Sequence, residues 1–153
     1  MAADAAGGFA DSVYTLADGS FRMGGLGEEP CTLVSGGDLT GWAVRGNVTP
    51  GTEPVTLTLR PGGRIAVRVL GADGRPVRDA YPDVQRVIGL AVVMPGGSGS
   101  TDVSGSVEIG APAGLVEVEA ATRDGTGRGS VTVTAGATVP LEIVLQAQPP
   151  KQP

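Results

Sequence analysis

The chain has 153 residues, of which 41% are hydrophobic but only 3% aromatic, and its formal net charge is −5. Its 26 glycines and 12 prolines disfavour a helix-rich fold, because both residue types are costly in a helix interior. The acidic excess argues against nucleic-acid binding, and no polybasic cluster is present that would favour an anionic membrane surface.

Alternation of apolar and polar residues predicts β-strands along most of the chain. Weaker patterns occur at 12–16, 20–23, 31–35, 42–48 and 87–94, and stronger ones at 55–59, 65–69, 115–120, 131–133 and 141–145. Turn signals that contain glycine separate these segments, as at Asp18-Gly19 and Asp73-Gly74. We therefore predict an all-β protein with essentially no long helix.

An internal repeat divides the chain. Residues 17–24 align with 103–110, and residues 48–52 align with 133–137 at nearly the same offset. An apolar alternating segment follows the second pair in each copy. We predict two tandem modules and a tail, which are a shortened module at 9–60, a full module at 63–146 and a Pro-rich tail at 147–153.

The turns of the second module occur in a recognisable order. They are an opening strand at 64–70, a turn at 73–77 leading to Ala80, a turn at 101–105 before a strand at 106–109, Pro112-Ala113-Gly114 before another strand, and a closing turn at 133–136. This order resembles the carboxypeptidase regulatory-like domain, and residues 14–60 resemble its latter half. The resemblance implies a Greek-key β-sandwich of immunoglobulin or prealbumin type, and a non-catalytic role as an appendage of bacterial surface proteins or peptidases.

Candidate catalytic residues are few. The absence of histidine excludes Ser/His and Cys/His catalysis and histidine metal ligands. The single cysteine, Cys31, excludes an internal disulfide, and its apolar neighbours predict a buried core thiol. Glu117 and Glu119 share a strand face and 28–29 is an acidic pair in a loop, but solvated surface explains both better than paired-carboxylate catalysis does. We predict no catalytic residue and no enzyme.

Four aspartates could in principle supply calcium ligands. They are Asp18, Asp73, Asp102 and Asp124. None shows the dense acidic spacing of an EF-hand loop, and three precede glycine, as turn residues do. We predict that all four are structural and that the chain binds no metal or cofactor.

Three aromatic residues could stack on a sugar. Trp42, Tyr14 and Tyr81 are far apart in sequence, whereas carbohydrate-binding sandwiches usually align two or three rings. We expect Trp42 to fill the core of the first module. A glycan-binding module on Trp42 and nearby loops is kept as an alternative, as is a silent accessory domain of a peptidase-type enzyme.

The sequence predicts neither a signal peptide at residues 1–8 nor a membrane span. Residues 1–8 lack the basic and apolar regions of a signal peptide, and no apolar stretch approaches the roughly 18 residues of a membrane span. We expect no membrane insertion, and favour an extracellular or cell-surface location with the signal absent from this chain.

The shortness of the first module leads to the functional hypothesis. It lacks room for the opening strands of the second module, so its sheet should have an open edge or an uncovered apolar face. Packing on the second module, folding back of 9–16, or a strand from another chain could complete it. We therefore expect a non-catalytic structural or protein-interaction module that binds a protein partner, or itself, through its N-terminal module.

Overall fold

The computed structural model describes residues 2–3, 9–38, 40–51, 53–92, 94 and 99–147, with the backbone alone at 9–10. Within these ranges the chain forms twelve β-strands and no helix, and therefore no helix long and apolar enough to cross a membrane. The strands are β1 Ala2–Ala3, β2 Phe9–Asp11, β3 Cys31–Gly37, β4 Gly41–Val48, β5 Gly63–Leu70, β6 Tyr81–Val87, β7 Leu90–Ala91, β8 Ser106–Ala111, β9 Gly114–Ala121, β10 Gly125–Val133, β11 Thr138–Val144 and β12 Gln146–Ala147.

Two of the three sheets form a β-sandwich. The first has three strands in the order β11-β5-β8, and the second has five strands in the order β12-β10-β9-β6-β7. β5 pairs with β11 in parallel, whereas all the other pairs in these two sheets are antiparallel. The predicted all-β sandwich class is confirmed.

The sandwich core is built from the alternation seen in the sequence. Ile65, Val67 and Val69 are at most 1% exposed, and so are Val116 and Val118 on the facing sheet. Their intervening residues point away from the core. Full burial of each such side chain stabilises the fold by about 1.5–3 kcal/mol, so this alternation accounts for much of the cohesion between the sheets.

The third sheet, in the order β2-β1-β3-β4, lies between two apolar clusters. Val34 and Trp42 belong to the sandwich core, whereas Cys31 and Leu33 belong to a smaller cluster. The smaller cluster also contains the buried Ala2 and the half-buried residues Met23, Leu26, Val48, Val55 and Leu57. Both faces of the β3–β4 hairpin are therefore apolar, and each face packs into a different one of the two clusters.

Two predicted strands, at 12–16 and 20–23, are not formed. Instead Val13, Phe21 and Met23 lie against β3 around a small cavity of about 20 Å³. Both edges of β3 are already occupied, by β1 and β4. The segment therefore packs on the face of β3, because neither edge of that strand is free to pair with it.

The predicted strand at 55–59 is also absent. Its alternation survives, because Val55 and Leu57 are half-buried and the two threonines between and after them are exposed. Val55 and Leu57 pack into the smaller cluster. Among the described residues, one bridge, between Trp42 and Arg60, joins the end of this segment to β4.

The weak pattern at 87–94 is interrupted by a turn. β6 ends at Val87, and Ile88 and Gly89 follow with φ of 50° and 77° before β7 begins. Positive φ at both central residues is the geometry of a tight hairpin turn. At the other end of the chain, β12 includes Ala147, so pairing extends one residue into the predicted tail, and residues 148–153 lie outside the described part.

The sequence repeat corresponds to similar turns but not to similar sheets. Gly19 and Gly105 both have positive φ, of 80° and 74°. Only the second turn is followed by a strand, β8. Because Val34 and Trp42 pack into the core of 63–146, one core spans the predicted module boundary, and the division into modules stays a prediction.

Candidate binding cleft

A cleft of about 300 Å³ lies beside β4, and we call it the β4 cleft. One wall is β4 itself, at 42–45. The opposite wall is the irregular segment at 56–58 and 60–61, and the turns at 87–88 and 112–113 close the end. Ligand sites typically occupy about 300–1,000 Å³, so this cleft has room for a small ligand or part of a peptide.

The cleft exists because strand pairing stops after one residue. Trp42 N donates to the Arg60 carbonyl at 2.7 Å, and Arg60 N donates to the Trp42 carbonyl at 2.8 Å. Gly41 permits this approach, because a Cβ there would lie 2.6 Å from the Arg60 oxygen. No further backbone hydrogen bond joins β4 to 53–59 in the part of the chain described, so the two segments diverge.

The divergence leaves β4 with an open edge. Backbone groups alternate in direction along a strand, and those of Trp42 face away from β3. The register between β3 and β4 is regular from Trp42 to Arg45, so the amide and carbonyl of Val44 also face the cleft. They are a donor and an acceptor available for another extended chain.

Trp42 is a core residue. It is 7% exposed and belongs to the sandwich core, so it fills the core common to the whole sandwich and not that of the first module alone. Gly62 lies against its ring, where a Cβ would come within 2.3 Å of the indole Cδ1. Tyr14 and Tyr81 are 96% and 60% exposed and neither lines the cleft, so the three rings do not form one sugar-stacking surface.

Two arginines give the β4 cleft its charge. Arg45 and Arg60 are both exposed, and Arg45 Nη1 donates to the Thr56 carbonyl at 3.2 Å across the cleft. Neither forms an ion pair with any described acidic residue, and no acidic side chain is among the residues described as lining the cleft. The cleft is therefore a locally cationic site on an acidic protein.

Ile88 closes the cleft in an unusual conformation. A β-branched residue with φ of 50° is a conformational outlier, and such residues cost about 1–3 kcal/mol each. The surroundings hold it there, because its amide donates to the Leu115 carbonyl at 2.8 Å and its side chain lies over Gly114. The side chain is nevertheless 68% exposed, so it presents an apolar surface at the end of the cleft.

Cys31 lies apart from the cleft. Its side chain is buried in the smaller cluster, and its thiol donates to the Val48 carbonyl with an Sγ–O distance of 3.4 Å. The prediction of a buried core thiol is confirmed.

The aspartates predicted to be turn residues act as such in three of four cases. Asp18 Oδ1 accepts from the amide and hydroxyl of Ser20, and Asp73 Oδ1 accepts from the Arg75 amide. Asp102 Oδ1 accepts from the Ser104 hydroxyl and from two amides. The fourth turn is held instead by the Thr122 hydroxyl, which accepts from the Asp124 amide.

These hydrogen bonds stabilise the charged form of the carboxylates. The Ser20 hydroxyl and amide lower the pKa of Asp18, and the Ser104 hydroxyl with the Ser106 and Ser104 amides lowers the pKa of Asp102. No group of three or more metal-binding side chains occurs among the described residues. The carboxylates therefore stabilise turns by binding backbone donors.

The glutamates considered for catalysis have cross-strand partners. Glu117 lies opposite Arg86, and Glu119 lies opposite Arg128, and each forms an ion pair. Elsewhere, Arg64 bridges Asp38 and Glu108, and these carboxylates, Glu108 foremost, raise the pKa of the guanidinium. Arg45 and Arg60 differ from these arginines because they lack carboxylate partners within the described ranges.

No family model matches the chain, and no curated protein matches it. Eight chains of solved structure match, among them the Bacillus anthracis TIE protein, with 18% identity, 77% of this chain covered and a TM-score of 0.41. This chain spans 25% of that one. So distant a likeness carries no argument, and the resemblance to the carboxypeptidase regulatory-like domain stays a prediction.

Proposed function

We propose that the chain is a non-catalytic structural or protein-interaction module of a bacterial surface or multi-subunit assembly, and that it binds a protein partner or a second copy through its N-terminal part. The observation that carries this proposal is the exposure of Tyr14 and Leu16, at 96% and 68%.

Both residues lie on a segment that packs against β3 and ends in a hydrogen-bonded turn. Val13 and Thr15 line the small cavity against β3, whereas Tyr14 and Leu16 do not. The turn at 16–20 is closed by hydrogen bonds from Leu16 N to the Ser20 carbonyl and from Gly19 N to the Leu16 carbonyl. Tyrosine is enriched among the residues that dominate binding energy at protein interfaces.

A photo-crosslinking experiment tests the proposal. Tyr14 is replaced by a photoreactive phenylalanine analogue in the full chain, which is then irradiated in its native cell. We expect a discrete crosslinked species that contains either a second copy or a partner protein. Tyr81, which is 60% exposed on β6, is the matched control position and should give no such species.

Surface variants provide a second measurement. The pair Tyr14→Ser and Leu16→Ser should abolish the association in sedimentation velocity or co-purification. The pair Tyr81→Ser and Leu115→Ser removes the same side chains from exposed positions and should leave it unchanged. Equal effects of the two pairs, or no discrete adduct from position 14, would contradict the proposal.

A further inference from the structure

We propose that the β4 cleft binds an extended acidic segment of a partner protein, which adds to the open edge of β4 and places its carboxylates on Arg45 and Arg60. This inference rests on the proposed function and specifies the chemistry of the partner. It uses a different surface from Tyr14 and Leu16, neither of which lines the cleft.

The open edge favours an extended ligand. The Val44 amide and carbonyl face the cleft, and the adjoining residue, Trp42, already forms both edge hydrogen bonds with Arg60. A guest chain that continues this antiparallel pairing would occupy the space between β4 and residues 56–58. Addition of a peptide strand to a sheet edge is a recurrent mode of recognition, in which the backbone supplies affinity and side chains supply specificity.

The charge of the cleft favours an acidic ligand. Each guanidinium has five N–H donors, and Arg45 uses Nη1 for the Thr56 carbonyl, so most of its donors remain for a carboxylate. The side chain of Arg60 has neither a hydrogen bond nor an ion pair within the described ranges. Bidentate arginine–carboxylate pairs are among the strongest charge-assisted hydrogen bonds.

The end of the cleft favours an apolar residue beside the acidic ones. Ile88 is held with positive φ and 68% exposed, and Pro112 and Ala113 lie next to it in the lining. By the strand register, Arg45 lies on the face of the hairpin that bears Leu33, whereas Arg60 pairs with Trp42, whose side chain is on the opposite face. Side chains of an extended chain alternate in direction, so a segment with two adjacent acidic residues followed by an apolar one could contact both arginines and this apolar surface.

Trp42 is the only tryptophan, so its fluorescence reports directly on the cleft it lines. The probe is a short peptide that repeats Glu-Glu-Val, titrated into the intact chain at low salt. The comparison peptide has glutamine in place of every glutamate. We expect saturable binding of the glutamate peptide, at least about tenfold weaker binding of the glutamine peptide, and loss of affinity with added salt.

Variants locate the binding site. R45Q/R60Q should lower the affinity for the glutamate peptide by at least about tenfold. R60Q alone tests the effect of the charge without disturbing the Arg45–Thr56 hydrogen bond. The control R68Q/R123Q removes the same charge from two exposed arginines outside the cleft and should bind as the wild type does. Melting curves of each variant show whether the fold is retained.

Several results would overturn the inference. They are equal affinity for the two peptides, unchanged affinity in R45Q/R60Q, no saturable binding, or binding of glutarate as tight as that of the peptide, which would assign the cleft to a free small acid. Crosslinking at position 14 tests the proposed function independently of the cleft proposal. If position 14 crosslinks and the peptide does not bind, the cleft proposal alone fails.

Discussion

The Thr101 side chain and the Ala80 backbone are joined inside the sandwich. Thr101 Oγ1 accepts from the Ala80 amide at 3.0 Å and donates to the Val77 carbonyl at 2.7 Å, and the Thr101 amide donates to the Ala80 carbonyl at 2.9 Å. Thr101 is 2% exposed and Ala80 is fully buried. The hydroxyl is therefore the partner of the buried Ala80 amide and of the carbonyl of the half-buried Val77.

Thr101→Val should destabilise the protein by about 1–3 kcal/mol, because the isosteric valine leaves the Ala80 amide and the Val77 carbonyl without a partner. Guanidinium unfolding should show a lower midpoint with an unchanged slope. Thr132→Val, at an exposed position of β10, is the control and should change stability little. An unchanged unfolding midpoint for Thr101→Val would mean that the hydrogen bonds of the hydroxyl do not stabilise the fold.

Gly62→Ala should destabilise by about 1–3 kcal/mol through overpacking. The new Cβ would lie 2.3 Å from Trp42 Cδ1 and 2.4 Å from the Ala111 carbonyl oxygen, so the indole must move. Tryptophan emission should shift together with the unfolding midpoint. Gly51→Ala, where nothing lies within 4 Å of an added Cβ, should alter neither, and parallel behaviour of the two variants would refute the packing of Gly62 against the indole.

Cys31 should react slowly with maleimide in the native protein and quickly in guanidinium, because the thiol is buried. Cys31→Ser should cost about 1–3 kcal/mol, since a hydroxyl replaces the thiol in an apolar cluster. In that background Ser12→Cys provides an exposed thiol, which should react rapidly without denaturant. Rapid native labelling of Cys31 itself would contradict its burial.

Asp102 should contribute a pH-dependent stability. Its pKa is lowered in the fold, so its contribution is complete above the unfolded-state value near 3.8 and is lost as pH falls through the lower folded value. Asp102→Asn should therefore reduce stability most near neutral pH, and the difference from wild type should shrink in acid.

Asp124→Asn is the matched control for the loss of a turn carboxylate, because the Asp124 carboxylate accepts no hydrogen bond among the described residues. Its unfolding midpoint near neutral pH should fall less than that of Asp102→Asn. Urea unfolding at a series of pH values gives the measurement. A pH-independent difference for Asp102→Asn would show that the hydrogen bonds to Ser104 and Ser106 do not favour the ionised carboxylate.

Strands can be predicted from this sequence where one face of the strand is buried along its length and apolar and polar residues therefore alternate strictly. β5 and β9 were predicted because one face of each is buried along its whole length, so period-2 alternation is strict. Residues 55–59 alternate equally well but form no strand, because a strand also needs a partner edge and this segment instead packs into the smaller cluster. Pairing is a non-local property that alternation does not encode.

The candidate site was not predicted for the same reason. Arg45 and Arg60 are separated in sequence, and nothing in either local pattern distinguishes them from the arginines that form ion pairs. Their proximity depends on the chain returning to Trp42 at Arg60, one bridge that the sequence does not reveal. Positive φ at Ile88 was equally hidden, because a β-branched residue is the least expected residue there.

The parallel pair of β5 and β11 has a consequence for synthesis on the ribosome. β5 is complete at Leu70, but the strand that covers its second edge begins at Thr138. Until that strand emerges, the nascent chain presents an unpaired edge beside an unclosed core, which is a state prone to aggregation. Closure waits for a long-range contact, so the sandwich should fold slowly and only after most of the chain has been translated.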